Sequence, residues 1–145
     1  MQIKAAANCE LGLIEIDEQH GQLFNLLEEL DRAVINGDRW HVVHNVLVKI
    51  SQWAAVHFAV EESLMRLFRH ARLSAHVADH AEMQDRLKQL MIASLKQDVS
   101  KEASRYLREW KRRHIEVFDG TLLEQLRDIA RRLDLQASGV AAATA

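Results

Sequence analysis

Eight histidines lie in a chain of 145 residues, and their spacing decides which of them could act together. In an α-helix successive residues turn by about 100° and rise by about 1.5 Å, so two residues four apart sit about 40° apart on one face, about 6 Å along the axis. His57 and Glu61 have this relation, and His76 and His80 repeat it in phase with Met83 and Leu87. His20 is in phase with Ile16, Phe24 and Leu27, and His114 with Leu107, Trp110 and Phe118. These imidazoles and the Glu61 carboxylate are therefore expected to face one apolar interior. His41, His44 and His70 fall roughly 160° to 220° around the helix from His57 and are expected to face solvent.

One inward histidine is ordinarily a hydrogen-bonded core imidazole. Five in one apolar interior are a different matter, because their ring nitrogens would outnumber the buried partners, and each unpaired nitrogen is costly. A metal removes that cost. Neutral nitrogens with carboxylate oxygens and no thiolate suit iron better than a structural zinc site, which closes at four ligands. The carboxylate-rich di-iron bundles need Glu-x-x-His twice, and the sequence has none.

The elements that must position these groups are helices. Proline is absent, glycine occurs five times, and the chain is 48% hydrophobic and 28% charged, which suits helices and leaves a β-protein short of turns. Apolar periodicity predicts a first helix from about Asp17 to Asn36, a second capped by Asp38 and reaching about Phe68, a third capped by Ser74, and a fourth from Ser100 to Asp119-Gly120. The fold class is all-α, an up-down-up-down antiparallel four-helix bundle spanning residues 10–120. Residues 1–9 read as an N-terminal arm. Residues 121–135 predict an additional amphipathic helix carrying Leu122, Leu126, Ile129 and Leu133, and 136–145 a disordered tail.

A formal charge of −2, from 19 basic and 21 acidic residues, gives no field that would attract nucleic acid or an anionic membrane. Lys111, Arg112 and Arg113 form the one basic run and read as a solvated helix face. A lone Cys9 cannot form an intrachain disulfide, and no apolar run is long enough to span a bilayer, so the cytoplasm is the expected location.

The segments IDEQH ending at His20, HFAVEE from His57, HVADH from His76 to His80, and HIEVFD from His114 resemble, in order and spacing, the hemerythrin family. The resemblance implies that His76, His80 and His114 hold one iron and that His20 and His57 hold the other. It also implies that Glu61 and Asp119 bridge two non-haem iron ions, together with an oxo or hydroxo group. One coordination position stays open on the iron with two histidines, and the implied activity is reversible binding of dioxygen for storage, delivery or sensing. Helical phase alone leaves Asp119 outside the site, about 140° from His114, although its place before Gly120 would let the helix loosen there.

Reversible binding requires a dry, apolar pocket. Phe24, Phe58, Trp110 and Ile115 are expected to line it, with Gly21 allowing a close helix approach. The sequence departs from the family at Lys111, where an aliphatic residue commonly follows the fourth-helix tryptophan. Its side chain can snorkel outward or open a polar route to the site. The family's N-terminal tryptophan, and the aromatic and proline between helices two and three, are also absent. Two other classes of function stay open: a di-iron enzyme reducing dioxygen, peroxide or nitric oxide, and a signalling module acting through residues 121–135, by self-association or on a partner.

Overall fold

The structure, a computed structural model, describes residues 2–143, and all of its regular elements are helical. Helix α1 spans Gln2–Asn36, α2 Trp40–Leu67, α3 Leu73–Ser94 and α4 Ser100–Arg113. A π-helical segment, His114–Asp119, follows α4 without a break and leads into α5, Gly120–Ala143. Short turns make consecutive helices antiparallel, giving the expected up-down-up-down bundle, with one bent helix from Ser100 onward as its fourth member. Among the described residues no helix is long and apolar enough to cross a membrane.

Local chemistry sets the ends of these rods. Gly37, at φ 63°, stops α1, and the N–H groups of Gly37 and Asp38 donate back to the carbonyls of Val34 and Ala33. The same closure ends α2, where Arg69 takes the left-handed position at φ 52° and the N–H of His70 donates to the Met65 carbonyl at 2.8 Å. At the start of α4, Asp98 accepts the Ser100 N–H at 2.9 Å. The expected caps differ: α1 runs through Asp17, and α2 and α3 begin after Arg39 and Arg72 with no side-chain cap bond.

Two expectations about the chain ends are corrected. Residues 2–9, expected as an arm, are the first turns of α1, and 136–143, expected as a disordered tail, are helical; the expected helix over 121–135 is present as α5, which continues the bent fourth helix. Residues 1, 144 and 145 of the expected arm and tail lie outside the described residues. Between these ends α1 and α5 run side by side and enclose Cys9, Ile16, Leu122, Leu126 and Ala130 together with Met65 of α2. Ile129 packs at the margin of this cluster and Leu133 is half-buried, so the stripe on α5 docks on its own bundle. The alanine-rich end then extends the helix at little cost.

The cluster just described is one of two apolar cores. The larger joins α1 to α4 around Leu23, Leu47, Ile50, Phe58, Leu87 and Leu107. On each rod a candidate ligand lies where the two cores meet. His20 lies between Ile16 and Leu23, Glu61 between Phe58 and Met65, and His114 and Asp119 between Trp110 and Leu122. Gly21 makes no close helix approach. Gly12 does, since a Cβ there would come within 2.9 Å of Leu64.

Candidate metal centre

Each rod brings its share of the cluster by simple helical register, except at the π segment. There the wider turn stacks residues five apart, so that His114 and Asp119 point the same way. That deviation is what brings Asp119 into the interior. His20, His57, Glu61, His76, His80, His114 and Asp119 are all buried, and His57, Glu61, His76, His114 and Asp119 are completely so. The structure brings all seven together as two groups that share one member. Glu61, His76, His80 and His114 form the first, and His20, His57, Glu61 and Asp119 the second.

The two carboxylates lie between the groups. Asp119 turns Oδ1 toward Nε2 of His114 and His76, at 2.8 and 3.1 Å, and Oδ2 toward Nε2 of His20, at 2.8 Å. Glu61 Oε2 lies 3.1 Å from Nε2 of His80, 3.3 Å from that of His76 and 3.4 Å from that of His57. Outer contacts fix three of the imidazoles. Nδ1 of His114 donates to Asp79 Oδ2 at 2.5 Å, Nδ1 of His80 to Glu62 Oε1 at 3.0 Å, and Nδ1 of His57 to Gln19 Oε1 at 2.7 Å. A ring that donates through Nδ1 presents Nε2 inward as a lone pair.

These contacts test whether a cation fits. Nε2 of His114 lies 3.2 Å from Nε2 of both His76 and His80, and lone pairs so arranged repel unless a positive charge sits among them. His57 Nε2 and Glu61 Oε1 are buried with no hydrogen-bond partner among the described residues. An amide–hydroxyl network would leave neither atom bare. Donors of this kind, nitrogen and carboxylate oxygen without sulfur, fit iron.

Without metal, protons must take the cation's place. Burial opposes charge on His114, but contacts with Asp119, Asp79 and Glu61 outweigh it and push its pKa up to about 11. Burial would likewise raise Glu61, yet bonds from His114, His76 and His80 bring it down to about 2, and Asp119 is held well below the usual carboxylate range by His114, His20, His57 and His76. The two signs define a pH window. The depressed carboxylates contribute stability above their ordinary values of 4.5 and 3.8 and lose it as pH falls through the depressed ones; the raised His114 contributes fully below 6.5 and loses it as pH rises through about 11. The metal-free protein is expected to have its highest melting temperature between pH 4.5 and 6.5, declining on both sides. Metal-loaded protein should lack the alkaline decline, because the bound imidazole carries no proton to lose. Thermal scans across pH on both forms check this.

Aromatic rings wall the site. Phe58 stacks on His80 at 3.8 Å between ring centres, Trp110 on His114 at 4.3 Å and Trp53 on His57 at 4.6 Å, and Ile115 packs against the larger core. Phe24 is corrected from pocket residue to surface residue. The buried seam of α1 runs through Ile16, His20, Leu23 and Leu27, leaving Phe24 38% exposed with the Lys111 ammonium 4.1 Å above its ring. Of the three histidines expected to face solvent, His41 is exposed, whereas His44 bonds Ser94 and His70 bonds Gln125 of α5, both half-buried. None of the three joins the cluster. Sequence reading missed Gln19, Glu62, Asp79 and Trp53. The first three each directly adjoin a ligand in the chain, and that adjacency was the signal.

Residues 11–137 match the sequence profile of the hemerythrin HHE cation binding domain. A bacteriohemerythrin of Aquifex aeolicus is 28% identical over 126 residues, 82% of this chain and 93% of the relative. One of Clostridium acetobutylicum is 24% identical over 112 residues, 73% and 87% of the two chains. No solved structure gives a significant match. With the profile covering most of its length, the chain belongs to the hemerythrin family.

Proposed function

We propose that this chain binds dioxygen reversibly at two non-haem iron ions joined by an oxo or hydroxo group. The observation that carries the reading is the division of seven buried side chains into two groups sharing Glu61, with Asp119 offering one oxygen to each. His76, His80 and His114 would hold one iron, His20 and His57 the other, and the two carboxylates would bridge. When bound, the metal pair supplies the electrons and the open coordination position that dioxygen needs.

The protein's own residues supply dryness and orientation. Apolar cores on both sides of the ligand layer exclude water, which would otherwise favour irreversible oxidation. Stacked Phe58, Trp110 and Trp53 hold three imidazoles in place. The reading places the protein in the cytoplasm, where ferrous iron and the free Cys9 stay reduced.

The test is anaerobic reduction of the iron-loaded protein, exposure to dioxygen, and then removal of the gas. A visible spectrum that appears on exposure and vanishes on removal, over repeated cycles, is the expected result. Bleaching to a ferric product in the first cycle would overturn reversible binding and favour a redox enzyme at the same site.

A further inference from the structure

The two groups of ligands differ in what stands behind them. In the group with three histidines, two imidazoles donate through Nδ1 to anions: His114 to Asp79 and His80 to Glu62. Asp79 is itself fixed by Trp110 Nε1 at 3.1 Å and Arg113 Nη2 at 2.8 Å. In the group with two histidines, the acceptor behind His57 is a neutral amide, Gln19 Oε1 at 2.7 Å. Among the described residues no carboxylate lies against Nδ1 of His20, whose one ion-pair contact is made through Nε2 to Asp119.

The amide cannot turn round. Gln19 Nε2 donates to Glu15 Oε1 at 2.8 Å, one helical turn away, so its oxygen must be the atom that meets His57. The indole of Trp53 bonds the Gln19 carbonyl at 2.7 Å and stacks on His57, fixing both partners. A carboxylate at position 19 would sit beside Glu15 at a spacing where like charges repel. The neutral acceptor is therefore built into α1.

An anionic acceptor draws on the Nδ1 proton, raises the basicity of Nε2 and offsets part of the charge of a cation bound there. A neutral amide does the first weakly and the last not at all. We infer that the two metal positions are filled in order, the one at His76, His80 and His114 before the one at His20 and His57, and that Gln19 is the positioning residue that keeps the second weak. The inference rests on the two-metal reading above and adds the order of loading to it. One consequence is that scarce iron would leave the chain half-loaded, with the iron pair completed only when iron is plentiful.

Equilibrium dialysis of the full metal-free chain against cobalt(II), with visible absorption followed in parallel, tests this. Two steps separated by roughly 10–100-fold are expected, the range that such outer contacts command. Asp79→Asn should weaken the first step and leave the second in place. Gln19→Glu should strengthen the second step, and the double variant Glu15→Gln with Gln19→Glu should do so without the repulsion between neighbouring carboxylates. Circular dichroism confirms that each variant is helical. Two equal steps in the unaltered chain, or a change in the first step when position 19 is altered, would overturn the order. Saturation at one metal per chain would instead overturn the two-metal reading, and the proposal with it.

Discussion

Glu61→Ala is expected to empty both metal positions, where His20→Ala empties one. Glu61 Oε2 lies within 3.6 Å of Nε2 in four imidazoles from three helices, and it is the one side chain common to both ligand groups. Removing it deletes a negative charge from each position at once. Altering outer contacts alone costs roughly 10–100-fold in metal affinity, so loss of a shared ligand should exceed ~100-fold at both positions. The measurement is iron per chain after anaerobic loading and desalting, with Glu61→Gln included because it preserves volume at a side chain that has no solvent exposure. His20→Ala should retain the iron of the group with three histidines. Equal retention in Glu61→Ala and His20→Ala would show that Glu61 serves a single metal.

A second large effect is expected far from any ligand. Leu126 is completely buried against α1 and α2, in the cluster with Cys9, Ile16 and Met65. Leu126→Ala leaves a cavity there and should cost about 2–5 kcal/mol, lowering the melting temperature by roughly 4–20 °C. Leu135, on the same helix and 73% exposed, serves as the control and should change stability by less than about 0.5 kcal/mol when made alanine. Sedimentation should find the oligomeric state of Leu126→Ala unchanged, because its side chain meets only its own chain. A shift in sedimentation with no loss of stability would mean that this stripe joins molecules rather than helices.

The fold was legible wherever one physical rule acted alone. Glycine at position 37 and the apolar repeat gave the rods, and spacing by four put His57 with Glu61 and His76 with His80 on shared faces. What periodicity could not give was any place where two helices decide together. Residues 2–9 and 136–143 carry weak patterns of their own, and they extend α1 and α5, whose packed stretch encloses Cys9, Ile16, Leu122, Leu126 and Ala130. Phe24 is in phase with His20, yet the seam that α1 offers to its neighbours lies on the Leu23 side, so one turn from a ligand it reaches the surface. His70 lies off the ligand face, as expected, but α5 passes over the α2–α3 turn and gives it Gln125 as a partner. Asp119 was legible through family resemblance alone, because the chain leaves α-helical phase in the very segment that carries it. Asp79, Glu62 and Gln19 lay beside ligands in the sequence, but which atom each would meet depended on a different helix.

The π segment can also be seen as an ordinary helix with one residue inserted. Winding the same six residues as α-helix, with none removed, would rotate everything beyond them by about 100°. Asp119 would leave the interior, and Leu122 and Leu126 would turn from α1 in the same movement. The carboxylate that faces both ligand groups and the covering of α1 by the end of the chain thus hang on one wide turn. They can be inherited together or lost together, but no shift of register separates them.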